Sequence, residues 1–261
     1  MLFLLSPAKR LDYESPIADE VAALATTPQY VADAAALIDV MKAKSPLQVA
    51  QLMDLSDELA ALNVARYAAW RPRHTAKNSR PAVLAFAGDV YEGLQAGTLN
   101  VDELVWAQQH LVILSGLYGV LRPLDKLQPY RLEMGTAVAT ERGRNLYEFW
   151  GDTLATHLNK LQRGQRAPVI VNLASQEYSR AALRPALKAR VVECVFEEGQ
   201  GRGQFKIVSF FAKKARGTMA RFAITNRIES PEALRDFAAD GYAFAERVST
   251  ADRLVFRRTT G

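Results

Sequence analysis

Short apolar runs alternate with longer stretches of helical spacing along the whole chain, and their order predicts an α/β fold. Residues 2–5 read as a buried strand that ends at Ser6-Pro7-Ala8-Lys9-Arg10. Residues 18–44 are alanine-rich with helical spacing, broken by Pro28 and ended before Pro46. Ser45 with Pro46 supplies a cap and a first-turn proline for a helix running to Met53. Ser56 ahead of Asp57 and Glu58 opens another, to about Trp70, because carboxylates favour a helix N-terminus. Two helices joined this closely form an αα-hairpin.

Runs at 83–86 and 111–114 are expected strands, with helices at 90–94 and 101–109 between them. Residues 145–161 predict one amphipathic helix, with Leu146, Phe149, Trp150, Leu154 and Leu158 on its apolar stripe. Strands follow at 169–173 and 190–196. The alternating stretch 205–211 is expected to pair with 190–196 across the glycine-rich turn at 199–203. Helices at 219–228 and 231–237, then strands near 242–248 and 254–256, close the chain. No linker, repeat or low-complexity tract interrupts this order, so residues 1–261 read as one compact domain with a mixed sheet flanked by helices.

One segment breaks the regular pattern. Residues 114–135, LSGLYGVLRPLDKLQPYRLEMG, set Ser115, Tyr118, Arg122, Tyr130, Arg131 and Glu133 among three glycines and two prolines. Glycine and proline forbid long regular elements, leaving a stiff, irregular path that aims polar side chains in set directions. Loops held this way commonly carry binding or catalysis. The plainer alternative is a packed connection whose arginines pair with Asp125 and Glu133.

Charge sharpens the picture more than composition does. The net charge is +5, from 33 Lys plus Arg against 28 Asp plus Glu. That permits an anionic partner without demanding one, so distribution decides. Between Arg202 and Ile228 there is no acidic residue, while Lys206, Lys213, Lys214, Arg216 and Arg221 fall in that interval. Lys213 and Arg216 are three apart, and Lys214 and Arg221 seven apart, so a helix would display these four on two adjacent faces, as a phosphate-binding surface requires; a solvated helix face would look the same. A second acid-free stretch carries Arg66, Arg71, Arg73, His74, Lys77 and Arg80, and with Lys9 and Arg10 it could extend the same electropositive surface.

The single cysteine, Cys194, lies in an apolar run and reads as a buried strand residue rather than a nucleophile. With only three histidines no metal-ligand cluster is visible, and no metal or cofactor is expected. No apolar run is long enough to span a bilayer. The start of the chain lacks a basic region before its short apolar run, so it reads as a strand and not as a secretory signal. A cytoplasmic location is the expectation.

Two strand ends carry further candidates. In FAGDVYEGL (86–94), Asp89 is expected to cap the helix that follows, with Tyr91 and Glu92 on its first turn. VNLASQEY (171–178) repeats the arrangement with Ser175, Glu177 and Tyr178. Residues just beyond strand C-termini are where open α/β sheets place ligands. The chain has no Walker P-loop, GxGxxG or GxSxG motif, and no nucleophile–base pair is readable.

Taken together, SPAK at 6–9, the 86–94 and 114–135 strings, NLYEFWGD at 145–152, VNLASQEY at 171–178 and FKIVSFFAKKARG at 205–217 resemble the bacterial YaaA family, also called the peroxide-stress resistance family. The likeness covers essentially the whole chain. It implies a cytoplasmic protein of the oxidative stress response that limits damage linked to free intracellular iron. It also implies binding of double-stranded or structured DNA in a basic cleft. The implied fold is a single cantaloupe-type domain with an embedded helix-hairpin-helix, whose matching position is 46–67. Here the hairpin turn Met53-Asp54-Leu55-Ser56 has no glycine and is anionic, which points away from the turn itself and toward Arg66, Arg71 and Arg73.

Two functions stand side by side. The first is a monomeric DNA-binding protective protein, without base-specific readout, using Lys9, Arg66, Arg71, Arg73, Arg122, Arg131 and the 206–221 cations. The alternative is an enzyme acting on a nucleotide-like or phosphorylated small molecule. Its candidates are Asp89, Ser115, Tyr118, Tyr130, Glu133, Ser175 and Tyr178, the acid–base and hydrogen-bonding groups of a small pocket. Convergence of these groups in one cavity, together with Lys9 and Arg122, is what would favour the enzyme.

Overall fold

In the computed structural model, which describes residues 1–259, the chain opens on β1 (Leu2–Leu5), buried at every position. A short β2 (Arg10–Leu11) leads into four helices, α1 (Asp19–Ala23), α2 (Val31–Lys42), α3 (Pro46–Met53) and α4 (Asp57–Ala69). Next come β3 (Arg80–Pro81), α5 (Ala82–Ala85), β4 (Phe86–Ala87), α6 (Asp89–Leu94) and α7 (Val101–His110). The glycine- and proline-rich segment contributes β5 (Leu111–Ser115), β6 (Gly119–Leu121) and β7 (Lys126–Leu127). After it lie α8 (Leu146–Trp150), α9 (Thr153–Leu161), β8 (Val169–Asn172) and α10 (Gln176–Ala182). The last part holds β9 (Arg190–Gly199), β10 (Phe205–Lys206), α11 (Ser209–Thr225), β11 (Ala243–Phe244) and β12 (Arg253–Arg258).

The main sheet is ordered β11-β12-β9-β8-β1-β5-β6, with β10 on β9. Its five inner strands, β12, β9, β8, β1 and β5, are parallel, and β6, β10 and β11 join antiparallel. This is the mixed α/β sheet expected, with helices packed around it. Two-residue ladders, β2 with β4 and β3 with β7, bind the remaining segments to one another. Among the described residues no helix is long and apolar enough to cross a membrane.

Local chemistry accounts for the αα-hairpin. Ser45 and Gln48 form a reciprocal capping box, Pro46 stands in the first turn, and Ser56 Oγ accepts from the Leu59 amide. Asp54 closes α3 in the left-handed region, at φ 51°.

Four expectations need correction. Residues 83–86 are not a strand: Ala82 and Val83 donate to the carbonyls of Asp125 and Pro123, docking α5 on the 114–135 segment, and only Phe86–Ala87 pairs. A short buried apolar run does not distinguish helix from strand. The alternation at 205–211 yields two paired residues, because Ser209 begins a 17-residue helix that absorbs much of the helix expected at 219–228. The helix at 145–161 is split at Gly151, where φ is +46°. At 242–248 the strand stops at Phe244 and a 3₁₀ turn follows.

The tightest packing joins α6 to α11. A Cβ on Gly217 would stand 1.7 Å from the Val90 carbonyl oxygen, and one on Gly93 would stand 2.1 Å from that of Lys214. The backbones of the two helices are therefore in direct contact. Gly217→Ala gains about 1 kcal/mol of helix propensity. Forcing the helices apart costs more, so a net loss of about 2–3 kcal/mol is expected, seen as a Tm lower by roughly 5–10 °C.

His157 on α9 packs edge-on against Tyr30 at 5.4 Å. Burial first, then Arg122 and Lys160, holds its pKa down at about 4. The unfolded chain, with a histidine near pKa 6.5, takes up a proton that the folded chain refuses. Stability is thus complete above about pH 6.5 and declines as pH falls toward 4. In urea titrations His157→Gln should flatten that decline, by on the order of 2 kcal/mol at about pH 4.5.

Candidate functional site

Three neighbouring parallel strands, β8, β1 and β5, run at their C-terminal ends into Ser175, Ser6 and Ser115. Connections from the centre of the sheet diverge here, to β5 on one side of β1 and to β9 beyond β8, and such a divergence opens a ligand crevice. A cleft of about 400 Å³ occupies that edge. Its floor is Ser6 and Ser175, and its walls come from Lys9 and Arg10, from the start of α6, from Tyr130 to Glu133, and from α10 and α11.

Asp89, Tyr130, Glu133, Ser175 and Tyr178 all line this one cleft, together with Lys9, Arg131, Lys213 and Arg216. The close α6–α11 contact brings the last two in, with Lys213 Nζ 3.9 Å from Asp89 Oδ2. Asp89 does not cap its helix as expected. Gly88 holds the cap position, and the Asp89 carboxylate makes no cap bond.

The cleft's carboxylates are occupied. Glu133 Oε1 accepts from Arg131 Nη2 and lies 3.0 Å from Lys9 Nζ. Glu177 Oε1 accepts from the Gly135 amide at 2.9 Å, and Glu92 pairs with Arg10. Arg216 differs: it is half-buried, and among the described residues its guanidinium has no ion pair or hydrogen bond. Burial lowers its pKa, and the charge that offsets this is the Glu193 carboxylate on β9. Cys194 is buried on β9, its thiol pushed up to about 12 by burial. A desolvated cation without a direct ion pair favours an anion in the space it faces.

Two candidates prove to be scaffold around the cleft. Ser115, fully buried, stands behind Tyr130 at 2.6 Å between oxygens. Tyr118 lies deeper, its hydroxyl oxygen accepting from Trp70 Nε1 at 2.8 Å and standing 3.0 Å from His74 Nε2. Neither Trp70 nor His74 drew attention as a partner in the sequence, where nothing local links them to residue 118. Tyr67 and Tyr13 donate to the Arg131 and Leu127 carbonyls, pinning the outer half of the segment.

The remaining cations scatter. Arg122 does not reach the cleft: its amide donates to Asp125, and its Nε is buried without a partner. Arg66 bonds Asn63, and Arg71 bonds the carbonyls of Ala68 and Trp70. Arg221 Nη1 donates to the Leu94 and Gln95 carbonyls at the end of α6. Arg73, Lys206 and Lys214 are exposed away from the cleft lining. Arg10, Glu92 and Glu177, which the sequence sets beside Lys9, Asp89 and Ser175, also line the cleft, and so does Ser6, which it did not single out. The rule that singled out Ser175 at a strand end applies equally to Ser6. Among the described residues no group of three or more His, Cys, Asp or Glu side chains stands together as a metal site.

Residues 1–248 match the family model described as peroxide stress protein YaaA. The chain is 60% identical over 258 residues to a UPF0246 protein of Leptothrix cholodnii, covering 99% of this chain and 98% of the relative. A UPF0246 protein of Albidiferax ferrireducens is equally similar, at 60% with the same coverage. One from Bordetella pertussis is 58% identical, covering 99% of each chain.

Tyr118 and the cleft separate experimentally. Tyr118→Phe strands the Trp70 indole N–H and removes a partner of His74 and the Gln128 amide. It should cost about 2 kcal/mol in chemical denaturation while leaving anion binding in the cleft unchanged by calorimetry.

Proposed function

The chain belongs to the peroxide stress protein YaaA family, and on that premise we propose that its cleft binds and acts on a phosphate-bearing, nucleotide-like small molecule. The observation that carries this reading is Arg216, a half-buried cation whose guanidinium makes no direct ion pair or hydrogen bond among the described residues, in a cavity of small-molecule size. Lys213 and Arg216 supply the charge for a phosphate. Asp89 and Glu133, held beside Lys213 and Lys9, are the carboxylates positioned for proton transfer. A cleft of about 400 Å³ admits a mononucleotide but not a duplex.

DNA binding is a second reading, favoured by a separate observation. Ile207 and Phe210 are more than half exposed beside the exposed cations Lys206 and Lys214. Cations interleaved with exposed aromatics suit a nucleic-acid backbone and its unstacked bases. Four to six phosphate contacts would give log K a salt slope of about −4 to −5.

Calorimetry with adenosine 5′-monophosphate tests the first reading. Wild type should bind, and Arg216→Gln should weaken binding at least tenfold at unchanged Tm; no binding by the folded wild type overturns it. Lys206→Glu with Lys214→Glu should lower DNA affinity and its salt slope without affecting the mononucleotide. A flat salt dependence removes the DNA reading.

A further inference from the structure

We infer that Tyr130 and Ser175 are ligand-contacting residues whose hydroxyl protons are directed into the cleft by Ser115 and Ser6, so that the site offers fixed donors to phosphate oxygens. This rests on the phosphate reading of the cleft.

The direction follows from counting donors and acceptors. The Tyr118 amide donates to Ser115 Oγ at 2.9 Å, and Ser115 Oγ lies 2.6 Å from the Tyr130 hydroxyl. Were Tyr130 to donate to Ser115, the serine oxygen would accept twice. Its own proton would then be left, fully buried, without an acceptor among the described residues. A buried orphan donor is costly, whereas a tyrosine proton facing an open cleft is not. Ser115 therefore donates to Tyr130, a residue of the cleft lining that is 4% exposed, and the Tyr130 proton is left for the cleft.

The same logic repeats across the floor. The Ser175 amide donates to Ser6 Oγ at 2.8 Å, and Ser6 Oγ donates to Ser175 Oγ at 3.2 Å. Among the described residues Ser175 Oγ donates no hydrogen bond, so its proton is also left for the cleft. Each relay starts at a backbone N–H, passes through a serine at the end of a parallel strand, and ends on a hydroxyl in the cleft beside Lys213 and Arg216. Burial raises the Tyr130 pKa, so its proton stays in place throughout the neutral range. Ser115 and Ser6 are positioning residues; Tyr130 and Ser175 touch the ligand.

Titration with adenosine 5′-monophosphate provides the test. Tyr130→Phe and Ser175→Ala should each weaken binding about tenfold. Ser115→Ala should weaken it about threefold in wild type and not at all in the Tyr130→Phe background, since its effect passes through that hydroxyl. The ζ-carbon NMR resonance of Tyr130 should move on ligand addition, a response that a purely structural tyrosine would lack. Ser175 borders the cleft, and its variant keeps the test open if Tyr130→Phe fails to fold. Wild-type affinity in folded Tyr130→Phe and Ser175→Ala, with Arg216→Gln still defective, overturns the relays and leaves the phosphate reading standing. Unchanged binding in Arg216→Gln overturns that reading, and the relays with it.

Discussion

Everything on one side of the cleft depends on two helices touching without side chains between them. With Gly93 and Gly217 in place, α6 and α11 meet backbone to backbone, closer than any Cβ allows. The contact fixes both translation and rotation of α11, because a slide of one residue would set Thr218 or Arg216 against Val90. Two cations of α11 then bracket α6: Lys213 stands near Asp89 at its start, and Arg221 satisfies the open carbonyls of Leu94 and Gln95 at its end. A cation at a helix C-terminus is also favoured by the helix dipole. Arg216, between them, is left facing the cleft. Its lack of a direct ion pair among the described residues is thus a product of a packing constraint.

Across the cleft, the 114–135 segment divides into two parts with different work. Its inner half, Ser115 and Tyr118, is buried and holds other residues in place. Its outer half, Tyr130 to Glu133, forms the wall, and tyrosines 13 and 67 from two other elements pin its carbonyls. The polar surplus of this segment therefore has a physical account without every member touching a ligand. Hydroxyls one layer back set the direction of those in front, because a buried proton must find an acceptor.

The parts legible in the sequence were those governed by local rules. Strand β1, the Ser45 and Ser56 caps and the buried Cys194 follow from periodicity and capping chemistry. So does the importance of strand ends, which brought Asp89 and Ser175 forward. What escaped was decided at long range. Residues 205–211 alternate like a strand, yet Ser209 begins the helix that packs through Gly217 on Val90, and Ile207 and Phe210 are left exposed. Pairing of the segment's arginines with Asp125 and Glu133 was open to the sequence, and Arg131 makes it by its guanidinium and Arg122 by its amide; only the fold sets Arg131 in the cleft wall and Arg122 away from it. The cap expected of Asp89 fails for a similar reason, since Gly88 takes that position and Lys213 arrives from across the chain.

The division of α11 into two faces bears on how the two functional readings relate. Lys213 and Arg216, three residues apart, share the face that lines the cleft, whereas Phe210 and Lys214, four apart, share the next face and meet solvent. Phe211 is partly committed, because the Arg258 guanidinium stacks over it at 4.6 Å while bonding Glu198. A mononucleotide would engage only the inner face and gain nothing from Phe210. A polynucleotide lying on the outer face would meet Lys206, Phe210 and Lys214 without entering the cleft. Only a strand with an unpaired terminal nucleotide would use both faces at once, its last phosphate on Arg216 and its neighbours outside. Salt would then weaken the outer contacts far more than the inner one, since desolvated pairs are screened less than exposed ones.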